Sequence, residues 1–200
     1  MLSGPLEALA VAFGVVFVAE LGDKTQLMVL AFATRYRGLP VVVGVVAASA
    51  LVMGLSVLVG AAVGSLVDGR LMQLVGGVVF LLFAAWTLLG RDDDAEDVEA
   101  LARSGARART GLRAAAIVGG TFLLAELGDK SMLAALTLAT QAEPLATWAG
   151  ATLGLVGVSL IAVVVGRQLG SRVPRRLMRY IAAAGFAVFG LLLLWEVLGV

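Results

Sequence analysis

Apolar residues fill six long stretches of the chain, roughly 6–34, 40–65, 71–90, 113–140, 145–166 and 177–198, with Gly, Pro and charged residues between them. Each stretch is about as long as the 20 or so residues a helix needs to cross a bilayer, or longer. Lipid cannot satisfy an open backbone, so the pattern predicts six transmembrane helices and an all-α polytopic membrane protein. No Lys or Arg precedes the first apolar run, which is therefore expected to be the first span and not a cleavable signal. Between the third and fourth stretches lies RDDDAEDVEALARSGARART, acidic first, basic second and almost free of large apolar residues. The expected organisation is a three-helix unit over 1–91, a solvated charged linker over 92–112 and a second three-helix unit over 113–200.

A shift of 106 positions aligns residues 15–90 with 121–196 without a gap. Thr34 then pairs with Thr140, Gly44 with Gly150, Gly60 with Gly166, Phe80 with Phe186 and Phe83 with Phe189. Low-complexity similarity among Ala, Val and Leu would not keep Gly, Thr and Phe in register. Each half holds three spans, and an odd number makes the second copy enter the membrane from the opposite side. Two inverted three-helix repeats are the expected architecture, with a site near mid-membrane where they meet, as in many secondary transporters.

Composition and charge sharpen this picture. The chain is 60% hydrophobic, with no Cys, no His and a net charge of +1, so a soluble core, a disulfide framework and Cys- or His-based zinc or copper chemistry are excluded. Nothing in the charge balance suggests a nucleic-acid partner. Arg residues cluster after span 1 (Arg35, Arg37), in the linker (Arg91, Arg103, Arg107, Arg109, Arg113) and after span 5 (Arg167, Arg172, Arg175, Arg176, Arg179), whereas the opposite side carries only Arg70. By the positive-inside rule both termini lie outside and the linker is cytoplasmic, in a cell membrane.

The candidate chemistry sits in the two apolar runs that open the halves. AELGDK occurs at Ala19 to Lys24 and again at Ala125 to Lys130. A charged side chain at mid-membrane costs at least about 2.5–3.5 kcal/mol, so Glu20 and Glu126 call for a function or a partner. On a continuous helix Glu20, Asp23 and Lys24 would share a face, as would Glu126, Asp129 and Lys130. Inversion would bring the two faces together, with the Thr25 and Ser131 hydroxyls in support. Four carboxylates and two ammonium groups sum to minus two, which one divalent cation or two protons would neutralise. All-oxygen donors suit hard cations such as Ca2+, Mn2+ or Mg2+. Gly22 and Gly128 weaken the helix and are expected to kink or break spans 1 and 4 at the motif. Lys24 and Lys130 are the only lysines beside 13 arginines. A lysine can lose its proton when desolvated and an arginine cannot, so these residues are either switches or permanent counter-ions. Gln26, Met28 and Met132 are expected to point away from the ion, and the Gly44/Ala48, Gly60/Gly64 and Gly150/Gly154 spacings to mark close helix contacts. Thr34 and Thr140 lie on the faces of their glutamates and are expected at the mouth of a pathway.

E-L-G-D-K-T at 20–25 and E-L-G-D-K-S at 126–131, one in each half around a charged linker, resemble the signature of the cation/proton exchangers that include Golgi and chloroplast-envelope manganese and calcium transporters and bacterial manganese exporters. The resemblance covers almost the whole chain. It implies a non-enzymatic antiporter that exchanges Mn2+ or Ca2+ for protons, with the cation as substrate and no prosthetic group. It implies an ion site at Glu20, Asp23, Glu126 and Asp129, and export of Mn2+ from the cytoplasm. The residues alone do not choose between Mn2+ and Ca2+, nor between a monomer and a homodimer. An exporter of amino acids or other small solutes is the alternative, although spans 1 and 4 offer mostly Ala, Leu and Thr around the motif. An intramembrane aspartyl protease fits less well, because a Lys follows each Asp and no Tyr-Asp pair exists.

Overall fold

The computed structural model describes residues 4–21, 23–89, 111–169 and 175–198. They form eight helices: α1 Pro5–Ala19, α2 Lys24–Arg35, α3 Gly38–Leu66, α4 Gly69–Leu89, α5 Gly111–Glu126, α6 Lys130–Ala139, α7 Pro144–Leu169 and α8 Arg175–Leu198. The described residues contain no strand. Of the predicted central linker, 92–112, only Gly111 and Leu112 are among them, and they open α5.

The helices follow the six apolar stretches, with the first and fourth each divided in two. α3, α4, α7 and α8 contain segments long and apolar enough to cross a membrane, and α5 with α6, bent by 73° at their junction, makes up to five spans. α1 is apolar but has only 15 residues. The protein is therefore a polytopic membrane protein.

Close packing follows the small residues, because helices in lipid associate through backbone approach and van der Waals contact and not through the hydrophobic effect. A Cβ on Gly44 in α3 would lie 2.6 Å from the Ala115 carbonyl oxygen of α5, and one on Gly150 in α7 would collide with the Leu9 carbonyl of α1. Shifted by 106, these are the same contact: Gly44 corresponds to Gly150 and Leu9 to Ala115. Further along, Gly60 and Gly64 of α3 pack against the Leu136 and Thr140 carbonyls of α6, and Gly154 of α7 against Phe13 of α1. The expected small-residue contacts are thus all made between halves.

α4 and α8 pair with each other. Phe80 stacks edge-on against Phe189 at 4.8 Å between centroids and tilts against Phe186 at 6.0 Å, and Phe83 meets Phe186 at 5.7 Å. Below this aromatic cluster Gly77 and Gly190 face each other, so that a Cβ on Gly190 would lie 2.9 Å from the Gly77 carbonyl oxygen. The Arg70 guanidinium, at the start of α4, donates to the Val197 carbonyl near the end of α8 at 3.4 Å. The core has buried Phe residues from α2, α4, α5 and α8: Phe32, Phe80 with Phe83, Phe122 and Phe186. It encloses the two junctions at which the long apolar stretches break.

Candidate metal centre at the helix breaks

Both breaks are built in the same way. α1 stops at Ala19 and α2 restarts at Lys24; α5 stops at Glu126 and α6 restarts at Lys130. Asp23 and Asp129 are the residues before the restarts, both extended, at φ −77°, ψ 164° and φ −76°, ψ 166°. Each backbone N–H donates to the motif glutamate three residues back, Asp23 to the Glu20 carbonyl at 3.2 Å and Asp129 to the Glu126 carbonyl at 3.1 Å. Gly128 makes the second turn possible with φ +80°, a left-handed conformation that strains any residue bearing a Cβ. Gly22, its expected counterpart, lies outside the described residues, as does the side chain of Lys24.

Because the helices stop, the expected sharing of one helical face by Glu20, Asp23 and Lys24 does not hold. An aspartate preceding a helix usually turns back to cap its first N–H groups. Neither Asp23 nor Asp129 does so. The Asp23 carboxylate instead faces the other half, where the Lys130 ammonium donates to its Oδ1 at 3.0 Å. Lys130 thus meets the aspartate of the other motif copy, across the halves. The N-termini of α2 and α6 also point their positive dipole ends at this region, which favours negative charge there.

Glu20 and Glu126 are fully buried. The Thr25 hydroxyl donates to Glu20 Oε2 at 2.9 Å and the Ser131 hydroxyl to Glu126 Oε2 at 3.1 Å. Glu20 Oε1, Glu126 Oε1 and Asp23 Oδ2 are buried and accept no hydrogen bond from the described residues. Buried carboxylate oxygens of this kind are costly without a proton or a cation. Glu20, Asp23 and Asp129 each turn one oxygen into a cluster whose members lie within 4.8 Å of one another. A single hard cation with bonds of about 2.4 Å could span that separation. Glu126 is not a member of this trio, although it stands within electrostatic reach of all three.

Gln26, expected to point away from the ion, donates its Nε2 to the Glu20 main-chain carbonyl at 2.9 Å. At the matching position Met132 offers its sulfur to the Gly128 N–H at 3.3 Å. No periodicity in the sequence signals these contacts, since each reaches back across a break. Thr140, expected at a pathway mouth, bonds its hydroxyl to the Thr137 carbonyl and packs against Gly64; the Thr34 side chain lies outside the described residues.

A protein-family model described as "Divalent cation/proton antiporter GDT1" matches residues 8–95 and 114–199. The chain belongs to the GDT1 family. It is 29% identical over 189 residues to the "Putative manganese exporter" of Vibrio cholerae, across 93% of this chain and 90% of that one. It is 29% identical over 202 residues to a GDT1-like protein of Synechocystis, across 95% and 98% of the two chains. Against the chloroplastic protein PAM71 of Arabidopsis thaliana it is 31% identical over 210 residues, 94% of this chain but only 56% of that longer one. No solved structure matches. As a GDT1 member the chain is a transporter of divalent cations against protons and not an enzyme. The centre between the two breaks brings together the kind of ligands such a substrate takes.

Proposed function

We infer that this protein exports divalent cations, Mn2+ and/or Ca2+, from the cytoplasm in exchange for protons. Transport runs by alternating access at Glu20, Asp23, Glu126 and Asp129, with Thr25 and Ser131 orienting the glutamates and Lys24 and Lys130 as counter-charges. α1 with α2 counts as one broken span and α5 with α6 as another, so that the chain forms six spans in two inverted repeats, 1–91 and 113–200. Both termini face outward, and residues 92–112 face the cytoplasm across a plasma membrane, as the distribution of Arg argues. The reciprocal Gly44 to Ala115 and Gly150 to Leu9 contacts favour the inverted two-fold.

The observation that carries this reading is the meeting of Glu20, Asp23 and Asp129 from both motif copies, together with buried Glu20, Asp23 and Glu126 oxygens that accept no hydrogen bond from the described residues. In the proton-loaded state, protons satisfy those oxygens. A divalent cation arriving from the cytoplasm displaces them, and net neutrality is kept either way. The name "Putative manganese exporter" printed for the Vibrio cholerae relative supports the choice of Mn2+ and of export. The test is Mn2+ and Ca2+ flux in proteoliposomes under an imposed pH gradient. Wild type should exchange, while Glu20→Gln and Glu126→Gln should not; if both variants carry either ion as fast as wild type, the site assignment fails.

A further inference from the structure

The α4–α8 pair touches the rest of the molecule unequally. α8 meets α1 where Gly185 sits against Val18, so close that a Cβ on Gly185 would lie 2.5 Å from Val18 Cγ1. α4 meets α6 where Gly76 sits against Thr137, whose Cγ2 would lie 2.8 Å from a Cβ there. α1 and α6 occupy the same face of the molecule, because α1 runs beside the start of α7 and α6 leads into it. The helices that fill the opposite face, α2 and α5, make at most marginal contact with α8 and α4 respectively among the described residues. A cavity of about 450 Å³ runs along α4 from Met72 past Gly76 to Trp86, between that helix and Leu133, Thr137 and Thr140.

The repeat makes this inequality informative. Under the shift of 106, Val18 and Gly185 correspond to Leu124 and Val79, and Thr137 and Gly76 to Ala31 and Ala182. Val18 is half-buried beneath α8, whereas Leu124 is 65% exposed. The helices that would make the second copies, α5 with α4 and α2 with α8, meet at most marginally among the described residues. An inverted repeat whose halves hold different conformations reaches its second state by exchanging them.

We propose that Val18 with Gly185 and Thr137 with Gly76 form one gate of the transport pathway, closed in this structure, and that Leu124 with Val79 and Ala31 with Ala182 form the opposite gate, which closes when the first opens. The α4–α8 pair moves as a unit, held together by its phenylalanines and by the Gly77–Gly190 crossing. On the orientation inferred above, the closed gate is the outer one. This assignment rests on the alternating-access reading.

The chain has no Cys, so introduced pairs report without background. Val79→Cys with Leu124→Cys tests the absent contact without touching a glycine; Ala31→Cys with Ala182→Cys repeats the test should the first pair fold poorly. Val79→Cys with Leu112→Cys, the latter at the far end of α5, is the control. Each protein, in vesicles, is oxidised, its remaining thiols are counted by maleimide mass-tagging, and Mn2+ flux against a pH gradient is read before oxidation, after it and after reduction. A disulfide requires Cα atoms within about 7 Å, so it forms only if the second gate closes. The expected result is loss of both thiols and of flux in the gate pairs, recovery of flux on reduction, and neither change in the control. Free thiols in the gate pair, or flux that continues through the disulfide, would overturn the gates. Wild-type vesicles that fail to exchange Mn2+ would overturn the transport reading instead, and the thiol count would still judge the motion.

Discussion

The two AELGDK copies are identical in sequence and differ in surroundings. In the first, Glu20 joins Asp23 and Asp129 in a carboxylate trio, and its carbonyl is held by the Gln26 amide. In the second, Glu126 stands outside the trio, and the break is held by a Met132 sulfur and by Gly128 at φ +80°. The same six residues therefore give the trio two members from the first copy, Glu20 and Asp23, and one from the second, Asp129, with the buried Glu126 beside it. A symmetric sequence need not build a symmetric site, because each copy is completed by the residues facing it and not by its own.

The largest effect that could break this comparison is on cation affinity. Glu20→Gln, Asp23→Asn and Asp129→Asn should each weaken Mn2+ binding to the detergent-solubilised protein by about tenfold or more, since charge count sets the affinity of such sites. Glu126→Gln should weaken it less while still stopping flux. Equal losses in all four, measured by titration calorimetry, would make the site symmetric after all.

Next comes the cross-half ion pair. Lys130→Met leaves the partly buried Asp23 carboxylate without its donor and should lower stability by about 2 kcal/mol, as for a hydrogen bond to a charged group. The midpoint of thermal unfolding without metal checks it. Lys130→Arg at unchanged flux would reduce the lysine to a counter-ion. Gly128→Ala should cost about 1–2 kcal/mol, because Ala is strained at φ +80° even though nothing crowds the position. The smallest effect separates the two braces: Gln26→Leu should cost about 1 kcal/mol for its lost hydrogen bond, and Met132→Leu less, as sulfur is a weak acceptor. Equal shifts in unfolding midpoint would show that the braces are interchangeable.

Much of the molecule is legible from residue order. Apolar run length set the helices to within a few residues, because an apolar backbone in lipid has few alternatives to a helix. Small-residue spacing located the contacts at Gly44, Gly60 and Gly150, where only a missing Cβ lets backbones approach. The charges of the motif announced a centre, since nothing else justifies their cost in an apolar run. Tertiary structure alone decided that Lys130 pairs with Asp23 from the other half, that Gln26 reaches back to Glu20, and that Glu126 stands apart from the trio. These contacts depend on how far each chain turns at its break and on which helix then lies opposite. Spacing along a sequence carries no record of either once the helix that would preserve the period has stopped.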